Sequence, residues 1–282
     1  MTVAVVVPSL DQGRFLPEAL GSLLGQESVD VKVAVMDGGS RDDSVEIIQR
    51  HEDRLSYWRS GPDAGQAAAI NEGIARLGPA DHVGWLNADD LLLPGGLEKM
   101  AAYLTANPGC VAVFGEADVV DEAGRVIGRF PTQPFSRRAL ARASIICQPA
   151  SLIRASAWRA VGGLDASLHL CLDYDLWWRL SAIGPIGFLP DLIARSRDHE
   201  TTKTRSRHDL MYREAFAVLT RHLRYVPWRW CLSEAAYRWR EGHGGRRADS
   251  LVSQAVCACR AAGRHARVNG VSGIVSGLRE LW

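Results

Sequence analysis

The 282-residue sequence predicts an α/β fold, with a central, mostly parallel sheet followed by a C-terminal helical extension. Apolar, β-branched runs alternate with segments of helical periodicity over the first 108 residues, as expected of strands joined by crossover helices. Hydrophobic residues make up 47% of the chain and charged residues 23%, which is typical of a globular protein with a substantial core. The chain is long enough for one large domain with an appendage.

Four strands, each followed by a helix, are predicted in this first part. Each strand is a short apolar run that ends at a turn, as in a sheet buried on both faces. The predicted strands are VAVVVPS (3–9), VKVAVMD (31–37), LSYWRSG (55–61) and HVGWLN (82–87). The helices that follow them have apolar residues at helical spacing, and they are FLPEALGSLLGQ, VEIIQRH, AGQAAAINEGIARLG and GGLEKMAAYLTANP.

The pattern changes after residue 108. The turn DEAG joins two strand-like runs within CVAVFGEADVVDEAGRVIGRF and predicts a hairpin. A polar, Arg-rich segment (131–149) follows, and then two predicted helices, RASAWRAVGGLD and YDLWWRLSAIG. We predict one domain over residues 1–205, with halves at 1–108 and 109–205, and a basic, aromatic helical region over 206–282.

Charge is distributed unevenly along the chain. Residues 1–202 carry 18 basic and 26 acidic side chains, whereas residues 203–267 carry 14 basic and 5 acidic ones. A basic helical region with interleaved aromatic residues suits a helix on an anionic membrane surface, although a solvated basic face or an oligomer contact explains the charge equally simply. Nucleic acid is not expected as a partner, because no recognised binding module accompanies the charge.

The cysteines and the apolar runs predict a cytoplasmic protein. The six cysteines include no CxxC pair, and no His/Cys cluster has the spacing of zinc ligands. Reduced, structural thiols are therefore expected. The apolar run at the N-terminus is too short for a signal peptide, and no stretch has the roughly 18 apolar residues of a spanning helix.

Carboxylates follow three of the predicted strands. Asp37, Asp63 and the pair Asp89 and Asp90 lie at strand ends or in the loops after them, so all four are expected on one edge of the sheet. We interpret the three leucines that follow the adjacent pair as helix packing rather than as part of the site. An adjacent acidic pair is costly unless a positive group lies nearby. It therefore suits a divalent cation, or alternatively caps the helix near Pro94 or faces water.

Three other positions each have two interpretations. Asp37, before a Gly-Gly turn, suits contact with a ribose or base, or a bond to its own turn. Asp63 suits a phosphate site at the start of the next helix, or a cap of that helix. Asp173, beside aromatic residues, suits a general base, or the start of an ordinary amphipathic helix in which Asp175 binds Arg179.

Several motifs are missing. The sequence contains no GxxxxGK[ST] phosphate loop, no GxGxxG and no GxSxG elbow. A P-loop NTPase, a dinucleotide dehydrogenase of the Rossmann type and an α/β-hydrolase are therefore disfavoured.

Taken in order, the motifs of residues 2–205 resemble those of the family 2 glycosyltransferases. These are inverting, nucleotide-sugar-dependent enzymes with a GT-A fold, a Rossmann-like nucleotide-binding domain. The motifs that carry the resemblance are VVVPSLDQGRFLPEAL, VMDGGSRDDS, GPDAGQAAAINEGI, GWLNADDLLLPGGL, QPASLIRASAWRAVGGLD, LDYDLWWRL and DHETTKT.

The resemblance implies a role for each matching residue. The positions implied to bind the nucleotide are Pro8, Ser9, Asp37, Asp63, Gln66, Asn87 and Ala88. Residues 87–89 occupy the family's DXD motif, with Asn87 in place of the first aspartate. Metal binding, by Mn²⁺ or Mg²⁺, is implied for Asp89 with His199. Asp90, His199 and Lys203 are implied to contact the donor sugar or diphosphate.

The resemblance also implies a catalytic base and a substrate class. LDYD matches the family's ED motif, with Leu172 in place of the glutamate and Asp173 as the base. The implied donor is a nucleoside-diphosphate sugar, and the implied acceptor is a saccharide or a lipid-linked molecule in surface polysaccharide assembly. A nucleotidyltransferase and a non-catalytic sugar-nucleotide binder are the alternatives, although the GxGxR loop of the former is missing.

Residues 206–245 lie outside the resemblance. Because lipid-linked acceptors reside at membranes, we expect this basic stretch, with Trp228, Trp230, Tyr237 and Trp239, to hold the protein on the cytoplasmic membrane face.

Overall fold

The computed structural model describes residues 1–200, 202–203, 207–244 and 248–278. The chain divides into two compact units. The first comprises residues 1–136 and 145–206, and the second comprises residues 137–144 and 207–282.

The described residues of the first unit form a nine-stranded sheet in the order β3-β2-β1-β4-β8-β6-β9-β5, with β7 paired to β6. The strands are β1 (Thr2–Ser9), β2 (Asp30–Asp37), β3 (Tyr57–Ser60), β4 (His82–Trp85), β5 (Leu91–Leu92), β6 (Ala112–Val120), β7 (Val126–Arg129), β8 (Ser151–Arg154) and β9 (Ile186–Arg197).

The strands β3, β2, β1 and β4 form the parallel half of the sheet. Residues 3–7 of β1 are all buried, which explains their uninterrupted apolar sequence. Three helices pack beside this half: α1 (Leu16–Leu24), α2 (Ser44–Arg50) and α3 (Gln66–Leu77). The next helix, α4 (Gly96–Ala106), packs against β6, β8 and β9 of the other half. Helix α3 approaches the sheet closely at Gly73, where a Cβ atom would lie 2.7 Å from Val6.

The other half of the sheet is mixed. Strand β6 pairs parallel to β9 and antiparallel to β8 and β7, while β5 pairs antiparallel to the C-terminal part of β9. A short 3-10 turn (Gln148–Ala150) precedes β8, and the helices here are α6 (Ala155–Val161) and α7 (Leu172–Ile183).

The predicted fold class is confirmed, and every strand and helix predicted in the first 108 residues is present. Three elements differ from the prediction. The leucines after Asp90 were interpreted as helix packing, but Leu91 and Leu92 form β5. Strand β9 was not predicted, because its apolar residues are interrupted by proline, aspartate and arginine. The segment 131–149 contains a helix, α5 (Arg137–Arg142), which belongs to the second unit.

The second unit is helical. It contains α5, α8 (His208–Leu223), α9 (Trp228–Gly242) and α10 (Leu251–Leu278), the last interrupted at Gly270. The buried Glu234 on α9 accepts hydrogen bonds from Arg238 and from Arg264 of α10. No helix in the described parts of the chain is long and apolar enough to cross a bilayer.

Candidate active site

The carboxyl ends of the parallel strands carry most of the predicted site residues. Pro8 and Ser9 end β1, Asp37 ends β2, and the loop after β3 contains Asp63. The segment 87–90 follows β4. Because parallel strands end at the same edge, the topology brings these residues together, as predicted.

Asp37 organises the turn after β2. Its fully buried carboxylate accepts hydrogen bonds from the backbone N–H groups of Gly39 (3.0 Å) and Ser40 (2.9 Å) and from the hydroxyl of Ser60 (2.6 Å). Gly39 has φ +89°, a conformation that glycine adopts without strain. The turn-forming interpretation of Asp37 is thus observed, and the carboxylate is held rigidly at the edge of the sheet.

The neighbouring residues of β1 and β3 form the adjoining part of the edge. The hydroxyl of Ser9 is buried and has no hydrogen-bond partner among the residues that the structure describes. Asp63 is exposed, and its carboxylate accepts a hydrogen bond from the N–H of Gly65 (2.8 Å), just before α3. It does not cap α3 itself, whose N-cap residue is Gly65.

A network of amide side chains crosses the middle of the site. Gln66, the first residue of α3, donates a hydrogen bond to Oδ1 of Asn87 (2.8 Å) and accepts one from Lys203 (2.8 Å). Asn87 in turn donates to the carboxyl group of Asp90 (3.0 Å) and weakly to Oε1 of Gln148 (3.5 Å). Asn87 therefore connects three polar side chains, and the buried Ala88 next to it offers only a methyl side chain.

Asn71 lies outside this network. Its side chain bonds both backbone groups of Leu164 (2.8 and 2.9 Å). Of the two α3 side chains Gln66 and Asn71, only Gln66 bonds to Asn87 in the described residues.

Asp90 is the buried member of the acidic pair. Burial and the neighbouring Asp89 raise the pKa of Asp90 to about 7, although it accepts hydrogen bonds from the N–H of Arg197 (3.0 Å), from Asn87 and from Ser196. At neutral pH this carboxyl group is therefore protonated much of the time, which reduces the repulsion between the two acids.

Asp89 is the accessible member of the pair. Its carboxylate lies 3.0 Å from Nε2 of the buried His199, and its backbone carbonyl accepts a hydrogen bond from Nε of Arg197 (3.0 Å). Neither acid caps α4, since its N-cap residue is Gly95 and no side chain bonds there. A helix cap near Pro94, one of the alternatives considered for the acidic pair, is therefore excluded.

The short strand β5 explains these contacts. Leu91 and Leu92 pair with Arg195 and Ala194 of β9 in antiparallel register. Continuing this register beyond β5 places Asp90 and Asp89 opposite the last two residues of β9, Ser196 and Arg197. His199 and Arg197 are thereby brought beside Asp89, although they are more than 100 positions away in sequence.

Asp173 stands in the first turn of α7. Burial raises the pKa of Asp173 to about 6, and its carboxylate accepts a hydrogen bond from the N–H of Tyr174 (2.7 Å). Asp175, in contrast, is fully buried and binds Arg179 (2.7 Å). The predicted i,i+4 pair is confirmed, so the two aspartates have different surroundings.

Cys147 connects the two groups of acids. Burial raises the pKa of the Cys147 thiol, and the carboxyl groups of Asp90 and Asp173 raise it further. Asp173 is thus near the same buried thiol as Asp90, with Gln148 beside it donating to the carbonyl of Trp85 (2.7 Å). Cys147, Arg197 and Ser196 were not identified from the sequence. The one sequence signal for any of these three residues is that Arg197 lies two positions before the predicted site residue His199.

The side chains fit a divalent cation that also binds phosphate. Among the residues that the structure describes, no group of three or more His, Cys, Asp or Glu side chains is arranged as a metal site. Asp89 and His199 supply two ligand atoms side by side, and ions such as Mg²⁺ are commonly held by one or two carboxylates together with substrate phosphates. Asn87 is not a free ligand, because its Oδ1 accepts the bond from Gln66.

The chain is similar to known proteins in sequence and in fold. The sequence profile of the family described as "Glycosyl transferase family 2" matches residues 4–162. A chondroitin synthase of Escherichia coli is 24% identical over 223 residues, which are 78% of this chain. The chain spans only 32% of the length of that relative.

Two solved structures share the fold. S. aureus TarS (1–349), in complex with UDP-GlcNAc, superposes with a TM-score of 0.63 at 15% identity, covering 95% of this chain and 82% of that one. The mannosyltransferase PcManGT from Pyrobaculum calidifontis, in complex with GDP-Man and Mn²⁺, has a TM-score of 0.62 at 16% identity, covering 99% and 87%.

Replacing Asn87 by aspartate tests the bridging role of its amide. In EDTA we expect the free energy of unfolding of Asn87→Asp to be about 1–3 kcal/mol below that of the wild type, with a lower melting temperature, because the donor to Asp90 is lost and a third acid is added. Mn²⁺ should then raise the melting temperature of the variant more than that of the wild type. Thermal unfolding with and without Mn²⁺ measures both effects.

Asn71→Asp is the matched control, since it also replaces a half-buried bridging amide by an acid. It should lower the melting temperature without any added response to Mn²⁺. Identical Mn²⁺ responses of Asn87→Asp and Asn71→Asp would contradict this account of the site.

Proposed function

The chain belongs to glycosyl transferase family 2, and from this premise we propose that it transfers a sugar from a nucleoside-diphosphate sugar to an acceptor hydroxyl with inversion at the anomeric carbon. The observation that carries the proposal is the polar network around Asp89, which joins the ends of the parallel strands to His199. We further propose a role in polysaccharide or glycoconjugate assembly, with a saccharide or lipid-linked acceptor. The similarity to a chondroitin synthase supports the polysaccharide role.

We assign the donor to the edge of the parallel half. The nucleoside lies against Pro8, Ser9 and Asp37, beneath the loop that contains Asp63 and Gln66. The unpartnered hydroxyl of Ser9 supports this assignment, because a buried donor without a partner is costly unless a ligand satisfies it. Asn87 and Ala88 form the floor of this region.

The diphosphate is assigned to the segment after β4. Asp89 and His199 would hold Mn²⁺ or Mg²⁺, with Asp90 behind them and Lys203 at the outer side, 2.8 Å from Gln66. When bound, the ion neutralises charge on the departing diphosphate. Lys203 adds a flexible positive charge for the same oxygens.

Asp173 is proposed as the catalytic base. The acceptor oxygen attacks the anomeric carbon, the bond from that carbon to the diphosphate oxygen breaks, and the acceptor proton passes to the Asp173 carboxylate. With a pKa of about 6, the carboxylate is mostly ionised at neutral pH and yet more basic than an exposed aspartate. Its raised pKa therefore suits proton abstraction.

The test of the function is a panel of UDP- and GDP-sugars with Mn²⁺, read by thermal unfolding and by release of the nucleoside diphosphate on addition of acceptors. A donor that binds the folded chain raises its melting temperature. We expect EDTA to abolish the release. Release that is insensitive to EDTA would remove the ion from the reaction, and binding without any release would favour a non-catalytic sugar-nucleotide binder.

Asp173→Asn tests the base. Turnover should fall by about 10²–10⁴-fold while donor binding is kept, because only the proton acceptor is removed. The wild-type rate should rise as the pH is raised through about 6, where the Asp173 carboxyl group loses its proton. Rates from pH 5 to 8, with binding measured in parallel, check both expectations.

Asp175→Asn is the matched control. It breaks the pair with Arg179 and should lower stability, but the folded protein should keep its turnover and pH profile. Equal losses of turnover in the two variants would contradict the assignment of Asp173.

We also propose that the second unit binds an anionic membrane surface on the cytoplasmic side. Trp228 and Leu232 of α9 are each 37% exposed, and Arg229 and Arg240 are exposed on the adjoining part of that helix. Such a combination of apolar and basic residues suits an interfacial helix. The free state of all six cysteines supports a reducing compartment.

The other aromatic residues expected at the membrane are half-buried and contact other groups of the same unit. Trp230 donates a hydrogen bond to the carbonyl of Ala141 (2.9 Å), and Tyr237 stacks on His208 with ring centroids 4.4 Å apart. Trp239 is half-buried and stacks on His243. The proposed surface is therefore narrower than the sequence indicated. Residues 206 and 245, the ends of the basic stretch considered in the sequence, lie outside the described residues.

Leu232→Asp tests the membrane surface. Sedimentation with vesicles of equal parts phosphatidylglycerol and phosphatidylcholine should show several-fold weaker binding, since an apolar contact is replaced by a like charge. Ile183→Asp, at an exposed isoleucine of the first unit, is the control and should bind as the wild type does. Equal vesicle binding by Leu232→Asp and the wild type would contradict the proposal.

A further inference from the structure

Arg197 is a buried arginine at the end of β9 that the assigned reaction does not use. Only 3% of its surface is exposed. Its guanidinium group donates hydrogen bonds to the backbone carbonyls of Asp89 (3.0 Å) and Glu122 (2.8 Å), and to the carboxylate of Glu18 (2.6 Å). Three separate segments of the chain therefore meet at one side chain.

The same residue contacts both members of the acidic pair. Its side chain binds the backbone carbonyl of Asp89, and its own backbone N–H donates to the carboxyl group of Asp90 (3.0 Å). The path of the loop after β4 is thus fixed at two consecutive residues. The carboxylate of Asp89 itself contacts His199, so its orientation depends on that ring and on this anchor of its backbone.

The ring of Phe15 extends the anchor to His199. The guanidinium carbon of Arg197 lies 4.7 Å from the ring centroid of Phe15, and the His199 ring lies 4.9 Å from that same centroid. Phe15 thus packs against the side chains of both Arg197 and His199. Both proposed ligands of the ion, Asp89 and His199, are therefore in contact with Arg197 directly or through one ring.

Stability alone does not account for a guanidinium group at this position. Its carboxylate partner, Glu18, has a side chain that is 64% exposed, and an ion pair with such a partner contributes only about 0–1 kcal/mol. The other acceptors are neutral carbonyls. A buried positive charge is costly when it is paired so weakly, so its position beside the acidic loop calls for a separate explanation.

We infer that Arg197 is a positioning residue that holds Asp89 and His199 in the geometry that receives the divalent ion and the diphosphate. This inference rests on the proposed function. Arg197 does not touch the ion or the donor. It acts by fixing the carbonyl of Asp89, the carboxyl group of Asp90 and the ring of Phe15. Residues that orient metal ligands in this way typically change metal affinity by about 10–100-fold when removed.

The anchor also connects the site to the hairpin of β6 and β7. Arg197 binds the carbonyls of Glu122 and Asp121 (3.3 Å) at the hairpin turn, while Arg14, next to Phe15, forms an ion pair with the Glu122 carboxylate. The turn therefore contacts the side chain that orients the proposed ion ligands.

The test compares Arg197→Met with Arg154→Met. Arg154 is a matched control, because it too donates to backbone carbonyls, those of Cys110 (2.6 Å), Asn107 (3.1 Å) and Leu104, but at the opposite edge of the sheet. Both variants should unfold at lower temperature. Affinity for Mn²⁺ is measured from the EPR signal of the free ion, with UDP and in parallel with GDP present.

Arg197→Met should bind Mn²⁺ about 10–100-fold more weakly than the wild type, whereas Arg154→Met should stay within about twofold. Arg197→Lys, which keeps the charge but loses the planar fork, should fall between the two and provides the comparison if the methionine variant does not fold. Glu18→Gln should have little effect on Mn²⁺ affinity, because the Glu18 carboxylate that pairs with Arg197 is exposed.

Two outcomes overturn the inference in distinguishable ways. If the wild type binds Mn²⁺ with UDP or GDP and Arg197→Met or Arg197→Lys binds it as tightly as Arg154→Met, Arg197 is merely structural and the proposed function stands. If the wild type binds Mn²⁺ with neither nucleotide, the proposed function fails, and the positioning role fails with it.

Discussion

The adjacent carboxyl groups of Asp89 and Asp90 are the constraint on which the rest of the site depends. Two acids at the end of a buried strand repel each other and lose hydration, so each needs its own compensation. Asp90 is protonated much of the time and accepts three hydrogen bonds. Asp89 stays accessible and faces His199. The pair is thus divided into a buried supporting group and a half-buried carboxylate that we propose as the ligand of the ion.

The antiparallel pairing of β5 with β9 makes this division possible. Only two residues of β5 take part, yet the pairing places Arg197, Ser196 and His199 beside the segment after β4. The site therefore combines the edge of the parallel half with the end of the last strand. The same pairing brings Asp90 close to Cys147, which in turn is near Asp173. One short contact between strands thereby relates the proposed donor site to the proposed base.

The sequence predicts the parallel half of the sheet well. It does not predict the pairing of β5 with β9, which completes the site. Apolar runs, helical periodicity and carboxylates at strand ends are local signals, so β1 to β4 and the edge residues Asp37 and Asp89 were found. The pairing of β5 with β9 joins residues more than 100 positions apart and leaves no periodic signal. Leu91 and Leu92 were consequently assigned to helix packing, and Arg197 was overlooked. The sequence alone shows Asn87 to be unusual at the first position of the DXD motif, but its hydrogen bonds to Gln66 and Asp90 are visible only in the structure.

The central claim is that Asp89 and His199 hold a divalent ion that also contacts the diphosphate of the donor. Pulsed EPR of Mn²⁺ bound to ¹⁵N-histidine-labelled protein with UDP or GDP measures this directly, because it detects nitrogen and phosphorus nuclei near the ion. The account predicts coupling to both ¹⁵N and ³¹P in one sample, with the ¹⁵N coupling lost in His199→Gln. A bound ion coupled to neither nucleus, or a ¹⁵N coupling that persists in His199→Gln, would contradict it.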